Sequence, residues 1–306
     1  MKKLNRYLLI RYLLKIRRIV HSIFHSHPIF KNNNNYFLSQ FLIKTNGYNI
    51  SAIDFSEGVT AADFKGNSFL MNFRPGDLIE GAIYVDGCWE RHIATLISQI
   101  LDKSSGVMLD IGANIGANTI PLAVEHSSIK FYCYEPHPKV FHRLESNVKL
   151  NKLDNISLIN CAISESKEEK ITFYAQKNSS NMGLSSLRLN PDIDEYDEIT
   201  VPVNSIDEMF KDSLEVISVV KIDTQGAESM VLKSASQVIR KDRPVIFFEF
   251  EDEYYSDNER EDSKRFLESF FHDMNYSLFN ITGGFDYYPK IDIRQNYHGD
   301  IMAIPN

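Results

Sequence analysis

The sequence predicts an α/β protein with a doubly wound, mostly parallel, Rossmann-like sheet and a terminal antiparallel hairpin. From residue 107 onward, short apolar segments alternate with helical patterns, as expected for parallel strands joined by helices. Two of these segments end in an acidic residue, and a glycine-containing turn follows the first of them. Two further strand-like segments, 276–281 and 300–304, end the chain and account for the hairpin.

The core elements follow from hydrophobic periodicity. Strands are predicted at 107–111, 130–135, 156–160, 217–222 and 244–250, and helices at 115–125, 138–151, 227–240 and 260–273. Segments 169–175 and 199–203 are predicted as additional strands around a polar loop, 176–198. This insertion falls between the third and fourth core strands, near the sheet edge where α/β proteins bind ligands.

The region before the core divides into two parts. Residues 1–35 are predicted to form a basic amphipathic helix followed by a polar linker. Residues 36–100 are predicted to form an extension that packs on the core, with short strands, turns near Gly47, Gly58 and Gly66, and a helix beginning near Arg91. The α/β domain then occupies residues 101–306.

The charge of the chain is distributed unevenly. Residues 1–35 contain eight Lys or Arg and no Asp or Glu, which leaves 25 basic and 41 acidic residues in the remainder. An anionic body lacks the basic footprint that nucleic acid requires, so a nucleic-acid partner is disfavoured. The basic helix, residues 1–25, has two readings: a peripheral contact with the inner face of a membrane, or a contact with the acidic body or a second subunit.

The cysteines favour a reducing compartment. Cys88, Cys133 and Cys161 are isolated in sequence, as in a cytoplasmic protein with reduced thiols, and no ligand spacing predicts a metal site. No apolar run in the basic helix approaches the ~20 residues needed to span a bilayer. We therefore expect a cytoplasmic protein, peripheral on a membrane at most; the sequence does not indicate its oligomeric state.

The most informative segment is the turn after the first core strand, with Asp110, Gly112, Ala113, Asn114 and Gly116. Its glycine spacing differs from the dinucleotide fingerprint, and it lacks the Lys-Ser/Thr of a phosphate-binding loop. An aspartate at the strand tip would repel a pyrophosphate but suits a cationic amine. The turn therefore favours a ligand with an amino-acid head, such as S-adenosylmethionine (SAM), over NAD or ATP.

A second acidic residue supports this interpretation. Glu135 ends the next strand and is followed by Pro136, and a carboxylate there can accept hydrogen bonds from both hydroxyls of a ribose. The alternative is structural: Asp110 would cap a helix and Glu135 would lie on the surface.

These motifs resemble the FkbM-type family of SAM-dependent methyltransferases. The matching segments are 107–114, 134–136, 160–164, 183–187, 220–228 and 244–249, in the family's order. One departure is Gln225, where the family usually has glutamate. A carboxylate at that position is therefore dispensable in this chain if the enzyme is active.

The resemblance and the expected sheet geometry together imply roles for the cofactor-binding residues. Asp110 would attract the ammonium group of SAM, and the backbone of residues 112–114 would hold its methionine part. Glu135, with Pro136 beside it, would bind the ribose, while Cys161 and Ala162 would line the adenine slot.

Other roles are less determined by the pattern. Gly116 is expected to let the following helix pack close to the strand. Glu90 either faces this pocket or caps the helix beginning near Arg91. Asp223, Glu249 and His137 are the candidate catalytic bases, and His298 is a weaker one.

The expected function is methyl transfer from SAM to a hydroxyl oxygen of a carbohydrate, glycolipid or secondary metabolite. The alternative is a non-catalytic scaffold that keeps the fold and docks partners through its N-terminal helix; Gln225 keeps this alternative open. A nicotinamide dehydrogenase is disfavoured because the glycine spacing is wrong.

Overall fold

The structure is a computed structural model, and it describes residues 58–74, 77–177, 185–188, 196–251, 254–255, 257–282, 288–293 and 299–306. Several predictions lie outside these residues. They concern the basic helix at 1–35, the turn near Gly47, most of the polar loop and His298.

The first half of the described chain contains a hairpin and the start of the α/β core. Its elements are β1 (Gly58–Phe64), β2 (Asn67–Phe73), α1 (Leu78–Asp86), α2 (Arg91–Leu101), β3 (Val107–Ile111), α3 (Thr119–Glu125), β4 (Phe131–Tyr134), α4 (Pro138–Leu150), β5 (Ile156–Ile159), β6 (Ala162–Ile163) and β7 (Lys170–Gln176).

The second half completes the sheet. Its elements are β8 (Tyr196–Asn204), α5 (Ile206–Phe210), β9 (Ile217–Ile222), α6 (Glu228–Ser234), α7 (Ser236–Asp242), β10 (Val245–Phe250), α8 (Asp257–Asp273), β11 (Tyr276–Asn280) and β12 (Gly299–Pro305). None of the helices in the described part of the chain has the length and apolarity needed to cross a membrane.

The central sheet has the order β11-β12-β10-β9-β3-β4-β5. The five strands from β10 to β5 run parallel, and β12 pairs antiparallel with both β10 and β11. This arrangement confirms the predicted fold class. Two smaller sheets flank it: the antiparallel pair β1–β2, and β6-β8-β7, which includes both additional strands predicted beside the polar loop.

The core lies on both faces of the central sheet. Strand β3 is buried throughout, with Leu109 and Ile111 in one apolar cluster and Met108 in the other, as the two-residue period of a strand requires. Helices α2, α3 and α4 cover one face, and α6, α7 and α8 cover the other. Asp110 shares the face of Met108, so its side chain points toward α3.

The helix predictions differ from the structure at several points, and the short helix α5 was also not predicted. The helix predicted at 115–125 begins only at Thr119, because residues 112–118 form the turn. The helix predicted at 227–240 is divided into α6 and α7 at Ala235. Helix α1 was not predicted, although Asp77 caps it by accepting hydrogen bonds from two backbone N–H groups and Gly87 ends it in a left-handed conformation.

The predicted turns of the N-terminal extension have mixed outcomes. Gly66 lies in the tight turn between β1 and β2. Gly58 begins β1, and the residues before it lie outside the described part of the chain. The helix predicted near Arg91 is α2.

Asn147 joins the N-terminal hairpin to the core. This fully buried side chain lies on α4. Its Oδ1 accepts hydrogen bonds from the backbone N and from Nδ2 of Asn72, both at 2.8 Å, and its Nδ2 donates to the Ile115 carbonyl at 2.8 Å. One amide therefore connects β2, α4 and the turn after β3.

Asn147→Ala should lower the free energy of unfolding by about 2–3 kcal/mol, because a buried carbonyl and a backbone N–H lose their partners. Urea unfolding followed by circular dichroism would measure the loss. The control is Lys149→Ala, an exposed position on the same helix, which should change stability by less than about 0.5 kcal/mol. Equal effects of the two variants would show that Asn147 does not hold the hairpin.

Candidate active site

The turn after β3 lies against the end of β9. Gly112 has φ +83°, and the N–H groups of Gly112 and Ala113 donate to the Tyr134 carbonyl at 2.9 and 3.0 Å. A Cβ atom at position 112 would lie 1.9 Å from the carbonyl oxygen of Asp223. Only glycine permits this approach, which brings the turns after β3 and β9 into contact.

A cavity of about 270 Å³ opens beyond the carboxyl ends of the central strands. It is the position where open α/β sheets bind ligands. Nine of the residues selected from the sequence line it: Glu90, Gly112, Asn114, Glu135, Pro136, Cys161, Ala162, Asp223 and Glu249. Four others, Asp110, Ala113, Gly116 and His137, do not.

Glu135 is a buried carboxyl group at the cavity wall, so the surface position considered as an alternative is wrong. Its Oε2 accepts a hydrogen bond from the Asn114 backbone N at 3.0 Å, and its Oε1 accepts one from the His137 backbone N at 2.8 Å. Burial raises the pKa of Glu135 to about 7, although these two hydrogen bonds lower it. Each carboxyl oxygen still has a second lone pair for a ligand hydroxyl.

Asp110 lies beneath the cavity wall. It is almost fully buried, and its Oδ2 accepts a hydrogen bond from the Thr119 hydroxyl. Burial raises its pKa, while Lys221 and Thr119 act in the opposite direction. The predicted attraction of a ligand ammonium group to Asp110 was expected to act through water, and a direct contact is obstructed here because the Thr119 hydroxyl occupies one carboxyl oxygen.

His137 caps α4 instead of entering the cavity. Its Nδ1 accepts a hydrogen bond from the Lys139 backbone N at 3.2 Å, and its ring packs edge-on against Phe173. Burial lowers the pKa of His137. The His137 side chain therefore does not line the cavity, where a catalytic base would have to lie.

Gly116 also has a different neighbour from the one expected. A Cβ atom there would lie 2.8 Å from the side chains of Ile120 and Leu144. The close packing at Gly116 is therefore against α3 and α4, not between a helix and the strand.

Glu90 contributes its side chain to the cavity. It has φ +40° and makes no capping hydrogen bond to α2 through its side chain. Its Oε2 accepts from Asn118 Nδ2 at 3.0 Å, and burial raises its pKa. Of the two alternatives for Glu90, the structure has the pocket-facing one.

A set of hydrogen-bonded polar side chains lies where β9 and β10 end at the cavity. Lys221 Nζ donates to Asp223 Oδ2 at 3.1 Å, and Gln225 Nε2 donates to Asp223 Oδ1 at 2.8 Å. Glu249 Oε2 accepts hydrogen bonds from the Tyr254 hydroxyl at 3.1 Å and from Gln225 Nε2 at 3.3 Å. We call these five residues the carboxyl cluster.

The two acids of the carboxyl cluster have different surroundings. Glu249 has no lysine or arginine among its hydrogen-bond partners; burial first, and then the neighbouring acids, raise its pKa to about 9. Lys221 is 5% exposed and pairs directly with Asp223. Burial lowers the pKa of Lys221, but Asp223, Asp110 and Glu90 outweigh this effect and raise it. Lys221 therefore keeps its charge beside Asp223.

Several cavity residues were not selected from the sequence. Gln225 and Tyr254 reach the site only through the turns after β9 and β10. Trp89 was expected to pack in the core; it does so and also lines the cavity. Of the polar loop, Ser185 and Leu187 line the cavity. Tyr254 follows β10 outside any strand, so periodicity gave no reason to select it over its neighbours.

The fold and the acid-lined cavity together define a Rossmann-like methyltransferase. The chain belongs to the FkbM methyltransferase family, since the family described as "Methyltransferase FkbM domain" matches residues 110–278. SAM is the methyl donor of such enzymes, which confirms the cofactor predicted from the sequence.

Known relatives share part of the chain. It is 28% identical to the 2-O-methyltransferase NoeI of Sinorhizobium fredii over 169 residues, which cover 51% of this chain and 68% of the relative. It is 30% identical to the 31-O-demethyl-FK506 methyltransferase FkbM of Streptomyces tacrolimicus over 93 residues, which cover 30% of this chain and 33% of the relative.

Among solved structures, the fold resembles an O-methyltransferase from Bacillus cereus in complex with SAH. The TM-score is 0.42 and the identity 17%, over 70% of this chain and 80% of that one.

Gly112→Ala should destabilise the protein by about 3 kcal/mol or more, because a methyl group cannot occupy the space taken by the Asp223 carbonyl. Gly66→Ala is the matched control: Gly66 has φ +86°, but nothing lies within 4 Å of the added carbon. The control should lose only about 1 kcal/mol through backbone strain. Urea unfolding of both variants separates the cost of backbone strain from the cost of the steric clash. Similar losses of stability would rule out the close approach of the Asp223 carbonyl to Gly112.

The raised pKa of Glu249 makes stability depend on pH. Its contribution is fully present below its unfolded pKa, 4.5, and is lost as the pH rises through about 9. Glu249→Gln should therefore lose less stability than the wild type between pH 5 and 9, by on the order of 2 kcal/mol. Urea unfolding at several pH values measures the difference. Parallel pH curves for the two proteins would show that Glu249 titrates normally.

Proposed function

We propose that this methyltransferase transfers the methyl group of SAM to a hydroxyl oxygen of a carbohydrate, glycolipid or secondary metabolite. The main support is one cavity whose lining includes both a recess beside Glu135 and residues of the carboxyl cluster, Asp223, Gln225, Glu249 and Tyr254. The names of the two relatives, which describe a 2-O-methyltransferase and a 31-O-demethyl substrate, support oxygen as the acceptor atom.

The recess has the chemistry that SAM requires. Glu135 would accept the ribose hydroxyls through its remaining lone pairs, with its orientation fixed by two backbone N–H groups. Cys161 and Ala162 present small side chains to a planar base. Gly112 and Asn114 would border the methionine part, and the Gly112 backbone lies where a side chain could not.

Charge also favours this cofactor. Glu90, Glu135, Asp223 and Glu249 all line the cavity, and Lys221 lies buried behind Asp223. Carboxyl oxygens suit the sulfonium and ammonium groups of SAM, because they are acceptors in either protonation state, whereas any ionised carboxylate among them would repel a pyrophosphate. Asp110 would act through its field from beneath the wall.

Bound SAM supplies an activated methyl group on a cationic sulfur, so the protein's main task is to align the acceptor. Holding two reactants in line can lower the barrier by about 7–11 kcal/mol. A general base accelerates a reaction about 10²–10⁴-fold, which corresponds to only about 3–5 kcal/mol. Asp223 is the base we assign, because it lines the cavity directly after β9 and Lys221 orients it through an ion pair at 3.1 Å. Glu249 keeps its proton at neutral pH and would donate a hydrogen bond to an acceptor oxygen.

The test is methyl transfer from isotopically labelled SAM to a panel of neutral saccharides, glycolipids and hydroxylated metabolites, followed by mass spectrometry. Asp223→Asn should lower kcat by about 10²-fold or more with little change in the KM for SAM. Glu135→Ala should raise the KM for SAM at least about tenfold, because it removes the ribose contact. Asp212→Asn, an exposed substitution, is the control.

Two results would contradict the proposal. Methylation only at nitrogen or carbon would exclude the hydroxyl acceptor. Binding of SAM by calorimetry without turnover on any acceptor would favour the non-catalytic scaffold.

A further inference from the structure

The turn that carries Gln225 is held in an unusual conformation. Gln225 has φ +53° and Gly226 has φ +99°. Glu228 Oε1 accepts hydrogen bonds from the backbone N of Thr224 and of Gly226, at 3.2 and 3.1 Å. The Tyr255 hydroxyl donates to the other oxygen of Glu228 at 2.8 Å. A buried carboxyl group therefore fixes this turn from below.

Gln225 occupies a position that glycine would adopt without strain. Its side chain must therefore contribute through its contacts. Its single amide nitrogen has two hydrogens, and it lies within hydrogen-bond distance of Asp223 Oδ1, at 2.8 Å, and of Glu249 Oε2, at 3.3 Å. One amide thus bridges the two acids of the carboxyl cluster.

The bridge lies among several charged groups. Those that face Asp223 and Glu249 come from different elements: Lys221, Glu90, Asp110, Glu228, Asp300 and Tyr254. Only Lys221 among them is a cation, and it contacts the Asp223 oxygen that Gln225 leaves open. The amide is therefore the one neutral donor shared by both acids among the described residues.

We propose that Gln225 is a positioning residue for methyl transfer, which holds Asp223 and Glu249 in a fixed relative orientation. This inference rests on the proposed function of the carboxyl cluster. A donor between two acids stabilises a charged partner, and it separates the carboxyl groups so that they do not share one proton. A glutamate there would add a third acid, and an apolar side chain would leave two acids unbridged.

The experiment compares Gln225→Glu, which keeps the shape but loses the donor, with Gln225→Met, which has no comparable hydrogen-bonding group. Gln99→Glu, an exposed position on α2, controls for the added charge. The pH profile of kcat and the KM for SAM are measured on the full chain, together with urea unfolding from pH 5 to 9.5. The stability arm needs no acceptor, so it decides on Gln225 even if no hydroxyl substrate is methylated.

For Gln225→Glu we expect the half-maximal pH of kcat to rise by one unit or more, with the KM for SAM changed less than threefold. Its stability should fall more steeply with pH than that of the wild type, because three adjacent carboxyl groups must ionise. Gln225→Met should lower kcat at least tenfold with the KM for SAM preserved. An unshifted pH profile, or a loss of stability independent of pH, would overturn the proposal.

Discussion

The contact between the Gly112 backbone and the Asp223 carbonyl is the constraint on which the site depends. The Asp223 backbone N also donates to the Ile111 carbonyl at 2.9 Å, so the parallel pairing of β3 and β9 continues into both turns. One of these turns borders the recess beside Glu135, and the other carries Asp223 into the carboxyl cluster. Because the two turns contact each other, the distance between the two ends of the cavity is set by the sheet rather than by flexible loops.

A single buried cation determines how the acids of the site divide their roles. Lys221 is the charged residue of the otherwise mainly apolar strand β9, and it lies beneath the cavity, where it pairs with Asp223. Placing an ammonium group there costs desolvation energy, which the surrounding carboxylates offset. Glu249 lies one strand away with a phenol and an amide as donors, and burial first, then the neighbouring acids, raise its pKa to about 9. Two similar carboxyl groups thus lie in different electrostatic environments.

The sequence contained enough information for the sheet and for most of the cavity wall. Parallel strands bring their carboxyl ends to one edge, so acids such as Glu135 and Asp223 could be placed together without coordinates. Helix starts were harder to predict from the sequence, because Ile115 continues the apolar pattern of α3 although it belongs to the turn. That shift of one helical turn puts Thr119 against Asp110. The start of α4 was predicted correctly, but His137 is its N-cap and accepts a backbone N–H there instead of lining the cavity.

Residues that reach the site through irregular backbone are not predicted by hydrophobic periodicity, although the family motif marked position 225. Gln225 needs a left-handed conformation, and Tyr254 follows the end of β10, so neither position has a period to which it belongs. Both nevertheless donate to the same oxygen of Glu249. The orientation of an acid at a strand end is therefore fixed by the donors that loops bring to it. A family motif identifies the acid, while the three-dimensional arrangement of those donors determines where its oxygens point.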